Sequence, residues 1–378
     1  MSSKTTTIWK AEPHTIAKVE MLGKYLRVWF EILGRTSGGR DLWYIDGFAG
    51  PGEYENYPNG SPVVAVKAAD DALRVVGDRI GAVHCVFIEE KRDRFKHLQE
   101  RLAREKYDAS KIHCHTIRGT FVDGMTRLRA STPSPFSSSA PTFGFLDPFG
   151  PEGLPFALVK ELLSRPTCEV MINLDSDGVG RILKAGEWAK HIERLNETFG
   201  DSSWESELHA GMPLHIAIVK VVELYKRKLF GLPGVRYCFS FEMRSGKNTF
   251  DYHLVFASQH KLGLEKMKEV MKGMDQTGTY CFSDGNVSQT LLFTEADEPA
   301  YIERVANRFA GLEVSYEDVN DFALNETGFI RAKQALTPLE KAGRIKVSTP
   351  CSDRKRFTYP DRAILGMKIS FEEGPRNA

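Results

Sequence analysis

Residues 42–52, Leu-Trp-Tyr-Ile-Asp-Gly-Phe-Ala-Gly-Pro-Gly, constrain this chain more than any other stretch. A short apolar run ends on Asp46 and passes at once through Gly47, Gly50 and Gly52. Apolar runs of this length, bounded by glycine, read as strands buried on both faces of a parallel sheet. Glycines directly after such a strand let the backbone turn sharply and approach a ligand closely, with loop and helix amides offered to an anion. Taken alone, a glycine-rich loop is weak evidence, because strand-turn-helix connections also carry glycine for packing.

The flanking segments of the chain give the loop its frame. A helix is expected over residues 62–76 with Ser61 as its cap, then strands over 83–88 and 112–117 around a charged helix at 92–105. Further strands are expected at 142–146 and 169–174. Strands alternating with helices at this pace imply right-handed βαβ units and a doubly wound α/β sheet. Ahead of them, Ile16, Val19, Leu22, Leu26, Trp29 and Phe30 recur at helical spacing over residues 13–33. Residues 131–141 are a turn-rich surface loop, and residues 175–234 read as a helical insertion. Residues 235–241 and 249–257 alternate like paired strands, joined by a basic turn from Arg244 to Lys247, and a helix comes next at 264–274.

The last segment reads as a separate unit. Helices at 300–309, 315–324 and 329–341 precede two short strands, 344–347 and 356–359, an order that resembles a winged helix-turn-helix. The expected division is an N-terminal helical segment (1–40), a Rossmann-like domain (41–295) containing the insertion, and a winged-helix-like domain with a tail (296–378).

Composition excludes several classes. Hydrophobic residues make up 42% and charged residues 27% of the 378, which is too apolar for disorder. With a net charge of +1, no global field attracts a polyanion, so a nucleic-acid surface requires local clustering of Lys and Arg. The six cysteines show no CxxC or zinc spacing and read as buried thiols of a reducing compartment. The first residues lack the apolar core of a signal peptide, and no apolar run is long enough to span a bilayer. These features lead us to expect a cytoplasmic protein without a bound metal.

The site residues come from the strand ends. Asp-x-Phe-x-Gly-x-Gly at 46–52 resembles the first motif of Rossmann-type S-adenosylmethionine methyltransferases, which implies that Asp46, Phe48, Gly50 and Gly52 hold the methionine part of that cofactor. Glu89 ends the second strand, where doubly wound folds grip ribose hydroxyls, while Glu90 beside it reads as a solvated charge. Thr120 lies just after the third strand, where many methyltransferases carry an acid facing adenine. His113, Cys114 and His115 lie upstream of it. Alternation sends consecutive strand residues to opposite faces, which argues against a metal site there. The excursion at 53–60 is either a surface loop or a cover for the cofactor.

Phe145-Leu-Asp-Pro-Phe-Gly150 comes at the end of the fourth strand and resembles the acceptor element of methyltransferases acting on base amines, most closely the tRNA guanosine-N2 dimethyltransferases. That resemblance implies catalytic roles for Asp147, Pro148 and Phe149. The carboxylate and the proline-constrained carbonyl would accept the amine's hydrogens, and the aromatic ring would stack on a base flipped out of its helix.

The order YIDGFAGPGEY (44–54), GSP (60–62), FIEE (87–90), FLDPFG (145–150), YHLVFASQHKLGLEKMK (252–268) and FSD (282–284) resembles the three-Cys-motif partner protein family. The resemblance implies a Rossmann-like fold and a three-cysteine, radical-SAM-like protein partner, but it leaves the reaction open. The leading expectation is a SAM-dependent methyltransferase-like protein acting on a nucleobase amine. Its rivals are a binding module that keeps the fold without the transfer, and a nuclease in which Asp46, Glu89 and Asp147 gather around magnesium. DNA or RNA contact is expected from Arg331, Lys333, Arg344, Lys346, Arg354, Lys355 and Arg356 of the winged segment.

Overall fold

Every residue of the first strand, β1, is buried (Leu42–Asp46), because helices cover the sheet on both faces. The computed structural model describes residues 7–137, 139–148, 150, 154–184, 188–209, 211–245, 250–275, 278–284, 298–352 and 354–373. Helix α1 (Pro13–Thr36) precedes β1; α2 (Ser61–Val76), β2 (Val83–Glu89), α3 (Arg92–Leu102), β3 (Ile112–Arg118) and α4 (Phe121–Ala130) come after it. Next come β4 (Thr142–Leu146), α5 (Phe156–Leu163), β5 (Cys168–Leu174), α6 (Ser176–Lys184), α7 (Ile192–Phe199) and α8 (Leu214–Phe230). The larger unit closes with β6 (Tyr237–Arg244), β7 (Phe250–Ser258), α9 (Lys261–Met274) and β8 (Cys281–Ser283).

These strands form one sheet in the order β3-β2-β1-β4-β5-β7-β6-β8. The chain winds outward from β1 to β3, then crosses back to place β4 on the other side of β1. That reversal is the topological switch of a doubly wound fold, and ligands of such sheets bind outside the carboxyl ends of the strands there. Strand β7 runs antiparallel to both neighbours, as expected for paired strands β6 and β7, while β8 pairs parallel with β6. The fold is a doubly wound, Rossmann-like α/β sheet.

The two faces have distinct cores. On one, Tyr25 and Trp29 of α1 pack against Phe143 of β4, and Tyr25 meets Phe256 of β7. On the other, Trp43, Ile45, Val86, Ile88, Val170 and Ile172 of the sheet join side chains of α4 to α8, including Met125, Val159, Leu183, Phe199 and Tyr225. Helices α4 and α5 were not expected from the sequence. All six cysteines are free, and four are buried in this packing.

Contacts divide the chain into this unit and a second one, formed by residues 277–280 and 291–378. The second unit has its own core around Val305, Phe309, Val319, Leu336, Ile345 and Ile369. Its described elements are α10 (Glu298–Phe309), β9 (Glu313–Ser315), α11 (Tyr316–Glu326), α12 (Lys333–Lys341), β10 (Ile345–Ser348), α13 (Asp361–Ile364) and β11 (Lys368–Phe371). Ser315 and Asp318 form a reciprocal capping box that starts α11. The expected strand at 356–359 is not one: Phe357 sits at φ 65, and Pro360 is close behind. The partner of β10 is instead β11, which also pairs with β9 in the order β10-β11-β9. The helix expected from residue 329 begins only at Lys333 and contains Pro338.

Candidate functional site

The loop after β1 is tied to the strands on both sides. Gly47 N–H donates to Phe145 O at 2.9 Å, and Ala49 N–H donates to Ile88 O at 2.9 Å. Gly50 and Gly52 adopt φ of 62 and 85, the left-handed region that glycine enters without strain. Gly60 closes the excursion back onto this turn: its N–H donates to Gly52 O at 2.8 Å, and a Cβ there would lie 2.6 Å from the Gly52 carbonyl carbon. The "GSP" tripeptide is therefore a backbone-to-backbone clasp that leads straight into α2. A Cβ built on Gly50, in contrast, would meet nothing within 4 Å, so the crest of the loop faces open space.

Asp46 stands under the loop rather than on it. It is fully buried, accepts from Phe48 N–H at 3.2 Å and from the Tyr44 hydroxyl at 3.3 Å, and is also bonded by Ser61. Burial pushes its carboxyl up to about 7; the Ser61 and Phe48 hydrogen bonds oppose that rise, the nearby Asp147 charge adds to it, and Tyr44 opposes it. Glu89, 6% exposed, accepts from Lys91 N–H at 2.7 Å and from the Gly50 amide, which joins the two acids through the loop. Burial raises its carboxyl, against the Lys91 amide and the Arg94 charge. Glu90 is exposed. Phe48 is half-buried and its ring packs on Phe121 at 5.6 Å. The Thr120 hydroxyl is engaged in the capping box of α4, accepting from Asp123 N–H at 3.1 Å.

One residue beyond β4, Asp147 faces a pocket of about 270 Å³. Its walls include Tyr54 from the excursion, Asp147 and Pro148, Asn173 at the end of β5, and Tyr252 of β7. The fourth side was not foreseen: Trp9, His14, Thr15 and Lys18 come from the start of α1 and the residues before it. Lys18 Nζ lies 2.6 Å from Asp147 Oδ2, and the Asn173 amide donates to Asp147 Oδ1 at 2.6 Å. The Lys18 ammonium also sits 5.0 Å from the Tyr252 ring centre.

The excursion at 53–60 anchors that N-terminal strap. Ala11 and Asn56 exchange two hydrogen bonds, of 2.7 and 3.0 Å, and Glu55 N–H donates to Trp9 O at 3.0 Å. The Trp9 ring lies edge-on to Tyr54 and beneath the Arg94 guanidinium. At the strap's other end, His14 pairs with Asp284 at 2.7 Å. The excursion thus lends Tyr54 to the pocket wall and holds the N-terminal segment in place.

Other expected residues fall elsewhere. Phe149, Gly246 and Lys247 lie outside the described residues. Among the described residues, no three of His, Cys, Asp and Glu are gathered as a metal site. Asp46, Glu89 and Asp147 each have separate partners. His113 and His115 share one face of β3 beside His84, as alternation requires; His115 Nε2 lies 3.1 Å from His84 Nδ1, and the His84 ring stacks on Trp43 at 4.1 Å. In the second unit, Arg354 is not a surface cation. Its side chain is 7% exposed and holds Glu340 with two hydrogen bonds, of 3.1 and 2.6 Å. Arg344 pairs with Glu303. Arg331, Lys333, Lys346, Lys355 and Arg356 are exposed.

No protein-family model matches this sequence, and no curated protein matches it. Solved structures that match at low similarity include two methyltransferases. One is a protein from Staphylococcus aureus described as a caffeoyl-CoA O-methyltransferase, 10% identical, with 62% of this chain and 82% of that one covered and a TM-score of 0.28. The other is Trm1 from Pyrococcus horikoshii in complex with S-adenosyl-L-methionine, 10% identical, with 98% and 94% covered and a TM-score of 0.33. At these scores the likeness carries nothing about activity, and the fold rests on the strand order. Among the described residues no helix is long and apolar enough to cross a membrane.

Proposed function

We propose that this protein is a SAM-dependent methyltransferase that acts on an amine of a nucleobase. The observation that carries the reading is the placement of the glycine loop and of Asp147-Pro148 at the carboxyl ends of β1 and β4. These adjacent strands flank the topological switch, and an aromatic-walled pocket lies beside them.

The residues present fit the cofactor. The open crest at Gly50 leaves room against the loop backbone, and Glu89 stands at the end of the adjoining strand, where ribose hydroxyls are held. Asp46 acts from beneath, pinning Phe48 N–H and so the shape of the turn. When bound, S-adenosylmethionine supplies an electrophilic methyl group. Asp147 accepts a hydrogen of the acceptor amine, drawing electron density onto its nitrogen, and Pro148 stiffens the backbone beside it. Trp9, Tyr54 and Tyr252 supply flat faces for a planar acceptor. We assign nucleic-acid contact to the second unit, read as a winged-helix-like domain, through Arg331, Lys333, Lys346, Lys355 and Arg356; Arg344 and Arg354 are engaged within the unit. The three-Cys-motif, radical-SAM-like partner rests on the sequence resemblance alone.

Calorimetry with S-adenosylmethionine and its demethylated product tests the root of this reading. Wild type is expected to bind, and Asp46→Ala to bind at least ~30-fold more weakly, because the loop loses its internal anchor. Absence of heat with wild type would sink the methyltransferase assignment. Labelling of total RNA and genomic DNA, lost in Asp147→Ala, then separates an enzyme from a binding module.

A further inference from the structure

We propose that two residues outside every sequence motif define the acceptor subsite: Asn173 is its second hydrogen-bond acceptor, and Lys18 is its resident occupant. In the free protein the Lys18 ammonium holds the place that an incoming amino group takes, and the acceptor enters by exchange with it. This inference rests on the reading that Asp147 receives an amine.

The Asn173 amide nitrogen donates to Asp147 Oδ1 at 2.6 Å, which settles the orientation of that amide. Its oxygen therefore turns away from the carboxylate. Asn173 Oδ1 is buried, belongs to a residue lining the pocket, and meets no hydrogen-bond donor among the described residues. A buried amide oxygen without a donor costs ~1–3 kcal/mol, so native proteins keep one where something else fills it. The other free position on Asp147 is already filled, by Lys18 Nζ at 2.6 Å from Oδ2.

The two fillers differ in kind. Asn173 is short and fixed on β5, whereas Lys18 reaches in from α1 on a flexible four-carbon stem. The Lys18 side chain is 7% exposed, and the pocket it lines is the space into which its stem turns when the ammonium leaves Asp147. The exchange leaves a pair of acceptors, Asp147 Oδ2 and Asn173 Oδ1. An –NH₂ group offers one hydrogen to each. A carbonyl oxygen in the same place offers none and faces two oxygens. The subsite therefore separates cytosine from uracil, or adenine from hypoxanthine, by donor count.

Full-length wild type, Lys18→Met and Asn173→Ala are titrated by NMR with two matched pairs: cytidine against uridine, and the smaller 2-aminopyridine against 2-pyridone. Wild type should favour the amine of each pair about tenfold, roughly the value of one hydrogen bond. Lys18→Met should tighten amine binding about five- to tenfold further while leaving the oxo compounds unchanged, and Asn173→Ala should erase the preference. Weaker or unaltered amine binding by Lys18→Met overturns the exchange. A preference that survives Asn173→Ala overturns the second acceptor; if that variant fails to fold, the Lys18→Met arm decides. If 2-aminopyridine obeys the pattern and cytidine binds no form, the subsite stands and the nucleobase reading fails. If all four compounds bind alike, the subsite proposal fails, whatever calorimetry says of the cofactor.

Discussion

Strand β5 carries a polar residue near each end, and the two ends of the sheet treat the carboxylates beside them in opposite ways. At the amino end, Glu169 is held by the Tyr25 hydroxyl at 2.6 Å, the Ser258 hydroxyl at 2.8 Å and the Trp29 side chain. Gly263 presses so close that a Cβ there would lie 2.0 Å from Glu169 Oε1. At the carboxyl end, Asp147 is held by a lysine and the Asn173 amide, whose oxygen meets no donor among the described residues. Helix α1 serves both ends, with Tyr25 and Trp29 at one and Lys18 at the other. Short, packed donors that satisfy an acid completely make a clasp. A movable donor beside an unfilled acceptor makes a site.

The clasp also accounts for the stretch 252–268, which the sequence alone leaves unexplained. Ser258 holds Glu169, Gln259 donates to the Leu163 and Arg165 carbonyls at 2.7 and 2.8 Å, and Gly263 leaves room for the carboxylate. Lys268 is buried with its ammonium 4.2 Å from the Phe239 ring centre. These residues pin α9 to the sheet.

The largest expected effect concerns another buried acid, Asp46. Its folded carboxyl titrates at about 7 against an ordinary 3.8, so it contributes stability at low pH that is lost as pH rises from about 4 to about 7. Replacing it by Asn removes that dependence. The stability of wild type relative to Asp46→Asn should therefore grow by up to about 4 kcal/mol between pH 7 and pH 4 in urea denaturation. A constant difference would mean that Asp46 is ionised at neutrality. His253, pushed down to about 4 by burial and by the Arg244 charge, works in the other direction, losing stability as pH falls from about 6.5 to about 4. Asp46→Asn should expose that slope.

Gly263→Ala should cost ~3 kcal/mol, because the acid it strikes has no freedom to move, while cofactor affinity per folded molecule stays unchanged. Wild-type stability in that variant would break the clasp. In the second unit, Arg354→Ala should likewise cost ~3 kcal/mol, since Glu340 loses its charge partner. Burial works to raise the Glu340 carboxyl, but Arg354, Tyr359 and the Phe357 amide outweigh it and hold it below its usual range. Arg356→Ala should leave stability alone and weaken DNA or RNA binding with a shallower salt slope.

The smallest pair is the sharpest. Tyr25→Phe removes one donor from a fully enclosed acid and should cost ~2 kcal/mol; Lys18→Met, at the other end of the same helix, leaves an Asp147 side chain that is 20% exposed and can be reached by water, and should cost less. Equal costs in chemical denaturation would erase the distinction between the two ends.

The frame was legible because buried parallel strands announce themselves as short apolar runs cut by glycine, and because the acids at 46, 89 and 147 stand at strand ends. The features that escaped reading did so for specific causes. Lys18 sits between Ala17 and Val19 in an ordinary helical pattern, and nothing local tells a lysine that turns inward from one that solvates a face. Asn173 left a signal: a polar residue near the carboxyl end of a largely apolar strand, where ligands gather. The segment 356–359 alternates like a strand, but pairing is decided by the distant β9 and β11, beyond the reach of local pattern. Arg354 looked like its exposed neighbours because the acid that captures it lies in the preceding helix.

The strap at residues 9–18 has an engineering consequence. In the proposed site the sheet supplies the cofactor end, whereas the opposite wall of the pocket is one contiguous run near the start of the chain. Selectivity can therefore be rewritten by grafting that run, leaving the parts that fold and bind cofactor untouched. For the same reason a bulky fusion placed just before Trp9 perturbs what enters the pocket, and a tag belongs at the other terminus.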